Sequence, residues 1–377
     1  MRNPLREFRP DSSSTASGSD SPVILALETS CDETSAAVVV RGVVRSNVVS
    51  SQIRLHSEYG GVVPELATRE HLRNILPVVR SALNQAGVTL SQVSVVAATR
   101  GPGLPAALLA GYTTAQAVAY ALNVPLLGIH HHEAHLYSPW ITGNPPRAAF
   151  ERFEPNISLI VSGGHTLLVH VTGGLRYRVL GSTLDDAAGE CFDKVAKLLA
   201  LPYPGGPVLD EIAESGNAAA FDFPRSLLHA SHDDFSFSGL KTSVRYFLLK
   251  RPELMEDSKS LRDICASVRA AIVDVLVGKT VRAARRMAVS CVTASGGVSC
   301  NRALRRQFAA ECSRAGLRLH LADPVFCTDN AAMVGILAEQ KWLAGEPPTP
   351  WDEETRPGWP LEEASTDLSL TSAKGGV

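Results

Sequence analysis

The chain has 377 residues and a formal net charge of -2, from 36 lysines and arginines against 38 aspartates and glutamates. Hydrophobic residues make up 45% of it and charged residues 20%, which excludes a wholly disordered or fibrous chain. The length suggests two domains of roughly 100–200 residues each. Because the charge is nearly balanced, any contact with RNA would depend on a local basic patch. The seven cysteines form no CxxC pair, which argues against a zinc ribbon or a disulfide framework and favours a reducing compartment.

The two ends of the chain are predicted to lack regular structure. Residues 1–21 are polar and serine-rich, and Glu7, Asp11 and Asp20 argue against a mitochondrial transit peptide, since such peptides avoid acidic residues. No apolar segment of a secretory signal follows. Residues 346–377 form a tail rich in proline and acid. We therefore predict a cytoplasmic protein, with a mitochondrial location as the lesser alternative.

A hairpin is predicted at the start of the folded chain. In Val23–Val40 two β-branched apolar runs flank the polar turn Glu28–Ser35. The segment between Arg100 and His130 then carries no charge, but two prolines bracket it and polar residues interrupt it. A membrane span needs about 20 predominantly apolar residues. We therefore predict a buried helix here and no membrane contact.

Four histidines stand within six positions in the sequence GIHHHEAH. On a helix, His131 and His135 are spaced i, i+4 and share a face, which is half of a divalent-metal site. The zinc-protease motif HExxH is not met, because His132 and His135 are one residue too close. The alternative is that some of these histidines only cap the helix or form hydrogen bonds.

Two further turns rich in glycine and serine follow predicted strands. Ile157–Val171 repeats the hairpin pattern, with the turn Ser162–Thr166, and the turn Ala294–Val298 precedes a predicted helix over Asn301–Ala315. Backbone N–H groups of such turns can approach an anion closely. The repeated pattern favours a duplicated α/β fold that binds a nucleotide-like ligand, although each turn alone is more often only structural.

Three other features are each open to a functional and a structural interpretation. Asp193 lies on a predicted helical stripe of carboxylates, and Asp210 follows a tight glycine turn; both suit recognition of hydroxyl groups, and both are typical of a solvated face. The arginines between Lys279 and Arg318 favour either a phosphate-binding surface or two exposed helix faces. Asp329 is a candidate third metal ligand or the cap of a helix over Ala331–Leu343.

These motifs together resemble the universal tRNA N6-adenosine threonylcarbamoyltransferase family in its bacterial form, from about Val23 to Leu361. The matching segments are ETSCDET (Glu28–Thr34), GGVVPELATREH (Gly60–His71), GPGLPAALLAG (Gly101–Gly111), HHHEAH (His130–His135), VSGGHT (Val161–Thr166), DDAAGECFDKVAKLL (Asp185–Leu199), YPGGP (Tyr203–Pro207), FSFSGLKT (Phe235–Thr242), ASGGVSCN (Ala294–Asn301) and CTDNAAM (Cys327–Met333). The chain departs from this pattern at His132 and Ala134, where relatives often have Met and Gly.

The resemblance implies a two-lobed actin/sugar-kinase/Hsp70-like α/β fold with duplicated subdomains. On that basis we predict an extension over 1–21, an N-terminal lobe over 22–155 with the histidine pair, a C-terminal lobe over 156–330 with the nucleotide-binding turns, a helix over 331–345 that packs back on the N-terminal lobe, and the tail over 346–377.

The resemblance also implies a reaction and its participants. The threonylcarbamoyl group of threonylcarbamoyl-adenylate would move to N6 of the adenosine 3′ of the anticodon, in tRNAs reading codons that begin with A. The implied metal ligands are His131, His135 and Asp329. The implied adenylate site comprises Ile160, Val161, Ser162, Gly163, Gly164, Asp193, Gly206, Asp210 and Asn301. The implied partners are a shorter paralogous subunit of the same fold and an ATPase subunit.

The chemistry of the residues agrees with these implications. Two nitrogens and one carboxylate suit Fe(II) or Zn(II) better than Mg(II), and the resemblance favours one Fe(II) per chain, with Zn(II) as the alternative. Asp32 and Glu33 are the carboxylates that we nominate to deprotonate the attacking amine. Two other functions stay open on the same fold: an ATP-dependent small-molecule kinase, which has no need of a histidine pair, and a non-catalytic nucleotide-binding scaffold.

Overall fold

The structure is a computed structural model that describes residues 21–365. The predicted extension, except for Ser21, and residues 366–377 of the predicted tail lie outside the described residues. The described chain forms two compact units. The first unit contains residues 21–54, Val62–Phe150 and Asp329–Ala364, and the second contains Leu55–Gly61, Glu151–Thr328 and residue 365.

The strands and helices of the described residues are numbered in chain order. The strands are β1 (Val23–Glu28), β2 (Glu33–Val40), β3 (Val43–Ser51), β4 (Val95–Gly101), β5 (Leu126–His130), β6 (Ile141–Thr142), β7 (Arg147–Ala148), β8 (Asn156–Val161), β9 (Thr166–Gly173), β10 (Arg176–Ser182), β11 (Cys291–Ser295) and β12 (Arg318–Leu321). The helices are α1 (Ile53–Ser57), α2 (Pro64–Ala86), α3 (Pro105–Leu122), α4 (His131–Tyr137), α5 (Ala188–Leu198), α6 (Gly205–Ala213), α7 (Ser238–Lys250), α8 (Ser258–Arg286), α9 (Arg302–Ala315), α10 (Pro324–Cys327) and α11 (Ala331–Leu343).

Each unit contains one mixed sheet, and the two sheets share a strand order. In the first unit the order is β5-β4-β1-β2-β3-β7-β6, with β1 antiparallel to β2 and parallel to β4. In the second unit it is β10-β9-β8-β11-β12, with β8 antiparallel to β9 and parallel to β11. In both sheets the first three strands along the chain form an antiparallel meander, and two parallel strands follow beside its first strand. The first sheet also has the short strands β7 and β6 at its other edge. This repeated order is the duplication that the two hairpins predicted.

The central strand β1 is buried on both faces. Leu25 and Leu27 belong to a core cluster with side chains of α2 and α3. On the other face α11 approaches closely at Gly335, where an added Cβ atom would lie 2.7 Å from Cγ2 of Val39 and 3.2 Å from Cβ of Ala26. A strand covered by helices on both sides reads as a continuous apolar run, as the sequence here does. Two of the residues considered below lie at the ends of buried strands: Glu28 is the last residue of β1, and His131 directly follows β5.

The predicted helices are confirmed. The charge-free segment contains α3, which has Pro105 as its first residue, and no helix among residues 21–365 is long and apolar enough to cross a membrane. Helix α9 follows the third turn after a short 3-10 segment over Gly297–Cys300, and α11 has the predicted bounds Ala331–Leu343. All seven cysteines are free.

The described part of the tail is irregular but has contacts within the first unit. The ring of Trp351 packs edge-on against Tyr120, with ring centroids 5.9 Å apart. The ring of Trp359 lies 4.9 Å from that of His130, and the guanidinium groups of Arg100 and Arg356 lie over its indole. The two tryptophans thus attach this proline-rich segment to α3 and to the end of β5.

Candidate metal centre and ligand-binding turns

The histidine run lies at the junction of β5 and α4. Strand β5 ends at His130, whose Nδ1 accepts a hydrogen bond from the backbone N–H of Glu133 and so caps α4. Burial lowers the pKa of His130 to about 3, and its Nε2 is 3.1 Å from the carbonyl oxygen of Trp359. One histidine of the run is therefore structural, as the alternative interpretation held. Helix α4 begins with His131, so His131 and His135 share a face of it.

The structure brings His131, His135 and Asp329 together within the first unit. Oδ1 of Asp329 lies 3.4 Å from Nε2 of His131 and 3.2 Å from Nε2 of His135. Both histidines are buried, and the donor atoms of all three residues lie within 4.8 Å of one another. The other role considered for Asp329 belongs to its neighbour, because Asn330 accepts a hydrogen bond from Met333 N–H and caps α11.

This arrangement fits a divalent transition-metal ion. Bonds of about 2.1 Å from such an ion to nitrogen and oxygen place neighbouring donors roughly 3.0–3.4 Å apart, which agrees with both nitrogen–oxygen distances. The Nδ1 atom of His135 is buried and has no hydrogen-bond partner among the described residues. The polar contact of this ring is instead on the Nε2 side, toward Asp329. The donor set of two imidazoles and one carboxylate leaves further coordination positions for a ligand.

The charges of the cluster support one another. Burial by itself lowers the pKa of His131, but the carboxylates of Asp329 and Glu28 raise it well above its usual value. Burial raises the pKa of Asp329, and His131 and His135 lower it well below its usual value. An ionised carboxylate and a cation thus stabilise each other here, and a metal ion would replace the proton on the histidine.

Glu28, the last residue of β1, is fully buried beside His131. Its Oε2 atom is 3.0 Å from Nδ1 of His131 and accepts a hydrogen bond of 2.5 Å from the hydroxyl of Thr99 at the end of β4. Its Oε1 atom accepts a hydrogen bond from the backbone N–H of Ser30. From the sequence, Glu28 was predicted only to begin a turn. The signal that was missed is a charged residue that closes an otherwise apolar, buried strand.

Of the nominated pair, Asp32 lies in the turn between β1 and β2, and Glu33 is the first residue of β2. Burial raises the pKa of Glu33 well above its usual value, and the nearby charges of Asp32 and Asp329 raise it further. The hydroxyl of Ser51 donates a 3.1 Å hydrogen bond to Oε1 of Glu33. His71 on α2 contacts this turn, and its Nε2 is 2.9 Å from the carbonyl oxygen of Cys31. A carboxyl with a raised pKa is suited to accept a proton near neutral pH.

A second group of potential ligands in the second unit fits a metal less well. Donor atoms of Glu154, Cys291 and His320 also lie within 4.8 Å of one another. However, the guanidinium of Arg318 occupies both carboxylate oxygens of Glu154, at 2.6 Å for Nε–Oε1 and at shorter range for the second pair. An ion here would have to displace this bidentate pair.

In the second unit, the predicted adenylate residues lie at one end of the five-stranded sheet. Ile160 and Val161 are buried in β8, and the turn after them is closed by a 2.8 Å hydrogen bond from Ser162 N–H to the carbonyl of His165. Gly163 and Gly164 are exposed, with open space where a Cβ atom would stand. The backbone of this turn is therefore accessible to a ligand.

Glycines bring two other segments against this turn. A Cβ atom on Gly189, in the first turn of α5, would lie 2.5 Å from the carbonyl oxygen of Ser162. Gly296 has a φ of +89°, and its Cβ atom would lie 2.3 Å from the carbonyl oxygen of Val161. Only glycine fits at these two approaches. As a result α5 and the segment leading to α9 both begin beside the end of β8.

The remaining predicted residues surround the same helix N-termini. Asp193 on α5 accepts a 2.9 Å hydrogen bond from Gly206 N–H at the start of α6, and burial raises its pKa. Asn301 caps α9 by accepting from Leu304 N–H. Asp210 accepts from Arg302 N–H and forms a 2.8 Å ion pair with the buried Arg269. No local pattern singles out Arg269, because its partners are 55 or more positions away.

Most arginines of the basic cluster already have partners. Arg286 pairs with Asp233, Arg306 with Glu214 and Arg318 with Glu154, all carboxylates outside the 279–318 segment. Within residues 21–365, neither the exposed Arg285 nor Arg302 forms a side-chain ion pair. Ion pairs therefore neutralise only part of the positive charge counted along the sequence, since Arg282 and Arg305 donate to backbone carbonyl oxygens instead of carboxylates. Arg285 and Arg302 are exposed members of the cluster without an ion pair in the described part of the chain.

Comparisons with known proteins agree on one family. A family model described as TsaD, tRNA N6-adenosine threonylcarbamoyltransferase, matches residues 43–336. The protein of that name from Syntrophotalea carbinolica is 48% identical over 343 residues, which cover 91% of this chain and 98% of the relative. That from Pelodictyon phaeoclathratiforme is 51% identical over 335 residues, covering 85% and 93%.

Solved structures support the fold. The crystal structure of T. kodakarensis HypF has a TM-score of 0.56 at 17% identity and covers 86% of this chain and 48% of that chain. Full-length HypF in its phosphate- and nucleotide-bound form has a TM-score of 0.55 at 14% identity, with 87% and 48% covered. At these identities the likeness concerns the fold alone, which is the actin/sugar-kinase/Hsp70-like α/β fold predicted from the sequence.

Proposed function

The chain belongs to the tRNA N6-adenosine threonylcarbamoyltransferase family, a family of transferases, and we propose the details of the reaction that it catalyses. Threonylcarbamoyl-adenylate is the donor. The acceptor is N6 of the adenosine 3′ of the anticodon, in tRNAs that read codons beginning with A. The observation that carries this proposal is the convergence of His131, His135 and Asp329 in a chain of this family, because a kinase on the same fold has no need of such a donor set.

One divalent ion per chain would be held by His131, His135 and Asp329. We propose Fe(II), with Zn(II) as the alternative, since nitrogen-rich donor sets select these ions over Mg(II). When bound, the ion supplies a Lewis acid that polarises the acyl part of the donor.

The proton of the attacking amine passes to Glu33. In the transfer, a bond forms between N6 and the carbonyl carbon of the threonylcarbamoyl group, the bond from that carbon to the phosphate oxygen breaks, and adenosine monophosphate leaves. Burial and the charge of Asp32 raise the pKa of Glu33, which makes its ionised form a stronger base than an exposed carboxylate. Asp32 thus acts mainly through its neighbour.

The adenylate part of the donor contacts the turn after β8 and the helix N-termini beside it. Exposed backbone at Gly163 and Gly164 suits the phosphate, because N–H groups of such turns donate to anions. Asp193 suits a ribose hydroxyl, which can donate to its carboxylate. Gly206 and Asn301 border the same place, and Asp210 positions the start of α9 through Arg302.

The chain works in the cytoplasm with partners. tRNA is its substrate, and a shorter paralogous subunit and an ATPase subunit complete the complex, as the family resemblance implies.

Product analysis tests this proposal. The full chain, with and without its partner subunits, is incubated with tRNA and threonylcarbamoyl-adenylate labelled in the threonine. Label is expected on the adenosine 3′ of the anticodon in tRNAs for codons beginning with A, and in no other tRNA. The same protein with ATP and sugars should form no phosphorylated product. Sugar phosphorylation without labelled tRNA would establish the kinase instead, and binding of nucleotide without any product would establish a scaffold.

A further inference from the structure

We propose that Glu28 is a positioning residue for the metal centre: its carboxylate fixes the ring of His131 with the proton on Nδ1 and the lone pair of Nε2 directed at the ion. The inference rests on the proposed metal site and adds to it a residue outside the three ligands.

The geometry connects the two ring nitrogens of His131 to different carboxylates. Nδ1 lies 3.0 Å from Oε2 of Glu28, and Nε2 lies 3.4 Å from Oδ1 of Asp329. The hydroxyl of Ser30 is the other polar group near Nδ1, at the longer distance of 3.3 Å. A carboxylate on one nitrogen leaves the opposite nitrogen free for a metal, and such outer partners set both the tautomer and the ring orientation.

Glu28 is itself held in place from two directions. Thr99 on β4 donates to Oε2 and Ser30 N–H donates to Oε1, each at 2.5 Å. These donors compensate part of the cost of burying a carboxylate that has no access to water. Since β1 and β4 are paired strands in the middle of the sheet, the carboxylate is fixed to a rigid element.

The two histidine ligands are therefore not equivalent. Nδ1 of His135 is buried and has no hydrogen-bond partner among the described residues, so nothing comparable orients that ring. His131 is the ligand whose direction the protein sets, and Glu28 is the group that sets it. A purely structural role for Glu28, which would only close the turn through Ser30, predicts no effect on the metal.

The test measures metal affinity and the His131 proton in Glu28→Gln, which keeps the size of the side chain but removes its charge. The matched control is Glu133→Gln: Glu133 is also a buried carboxylate, lies between the two ligands on α4, and pairs with Lys341 at 3.1 Å instead of with a ligand. Zn(II) is the probe. Its dissociation constant is measured on the full chain by competition with a chelating dye, and nitrogen NMR of the zinc-loaded protein reports the tautomer of His131.

Glu28→Gln is expected to weaken zinc binding by about 10- to 100-fold, the range typical of outer-sphere partners. It should also shift or remove the hydrogen-bonded Nδ1 proton signal. Glu133→Gln should change neither. A Glu28→Gln protein that binds zinc like the parent and retains the Nδ1 proton would overturn the inference.

Two further measurements separate the possible causes of a negative result. If Glu28→Gln does not fold, Thr99→Val removes one support of the carboxylate and leaves His131 untouched; a severalfold loss of zinc affinity is expected, and unchanged affinity would refute the inference. If zinc binds equally to the parent and to the double variant His131→Ala, His135→Ala, the proposed metal site itself is wrong, a result distinct from failure at Glu28 alone.

Discussion

Buried charged side chains are costly unless each meets a charged or hydrogen-bonding partner. In the first unit Glu28 meets His131, and Glu133 meets Lys341, which also pairs with Glu346. These two buried carboxylates, on and beside α4, therefore have different partners and different roles. Glu28 contacts His131, a proposed metal ligand, whereas Glu133 connects α4 to α11 through Lys341.

Glu33→Gln should lower kcat by about 10²- to 10⁴-fold, the usual contribution of a general base. Because only the ionised carboxylate accepts a proton, kcat of the parent should rise with pH through the raised pKa of Glu33, and the variant should lack this rise. Removing the neighbouring charge in Asp32→Asn should move the rise to lower pH. Steady-state rates across pH check this, and a Glu33→Gln enzyme with the rate of the parent would exclude Glu33 as the base.

Asp193→Ala should raise KM for threonylcarbamoyl-adenylate and leave tRNA affinity nearly unchanged. The carboxylate of Asp193 is half-buried beside the start of α6, where a ligand hydroxyl could reach it. Glu190→Gln is the matched control, since Glu190 lies on the same helix, pairs with the partly exposed Lys194, and accepts a hydrogen bond from Ala187 N–H that a glutamine side chain can also accept. Weaker tRNA binding with an unchanged KM for the donor would place Asp193 in a different site.

For single residues, the sequence predicted relationships that depend on short spacing along the chain. It did not predict contacts between residues that are far apart in the sequence. The shared face of His131 and His135 follows from helical periodicity. The competing roles of Asp329 depended on a contact across 194 positions, which no local pattern encodes. Glu28 escaped notice for the same reason, because its partner His131 is 103 positions away.

The helices of the second unit that surround the predicted adenylate site are joined by one buried guanidinium. Arg269 on α8 binds the carboxylates of Asp210 and Glu214 and the backbone carbonyl of Ala213. Asp210 in turn accepts from the first N–H of α9. Arg306 on α9 pairs with Glu214 and completes the connection. The positions of the helix N-termini thus depend on a network of charges behind them.

Arg269→Met should destabilise the protein by about 3–5 kcal/mol, because it leaves Asp210 buried without its cation. The free energy of unfolding in urea measures this, with Arg285→Met, an exposed change on the same helix, as the control. Under native conditions the variant should also bind threonylcarbamoyl-adenylate more weakly, as the start of α9 loses its support. Unchanged stability would show that the network does not hold these helices.

The hairpins and the longest helices were predictable because their periodicity and turn residues are local. Strand β3 was not predicted, since its sequence VVRSNVVSS mixes polar and apolar residues on a partly buried strand. The two-residue strands β6 and β7 show no period at all. The strand order of each sheet depends on pairing between distant segments and became visible only in the structure.

For the whole molecule, a formal net charge of -2 must be reconciled with a tRNA substrate. Internal ion pairs neutralise part of the basic cluster, and Arg285 and Arg302 are exposed members of it without such a pair among residues 21–365. This chain then offers a polyanionic tRNA few direct contacts, and under the proposed function the partner subunits would supply the others. The domain boundaries given from the sequence also stay a prediction.

Charge reversal at Arg285 and Arg302 should weaken tRNA binding and reduce its salt dependence. For every phosphate that the protein no longer neutralises, the slope of log affinity against log salt should fall in magnitude by roughly 0.7–0.9. Filter binding or anisotropy at several salt concentrations measures the slope. The comparison is with reversal at the exposed Arg314, whose charge is already paired with Glu311 on the same helix. Equal slopes in the parent and the Arg285/Arg302 variant would remove this surface from the tRNA interface.

The proposed reaction requires one ion, held by His131, His135 and Asp329. The most direct measurement is the rate of threonylcarbamoyl transfer to tRNA as Fe(II) is added back to chelator-treated protein, for the parent and for the double variant His131→Ala, His135→Ala. The parent should regain activity and saturate at about one ion per chain, as a single three-ligand site requires. The folded double variant should stay inactive at every concentration. Transfer by that variant at the rate of the parent, with or without the ion, would contradict the account.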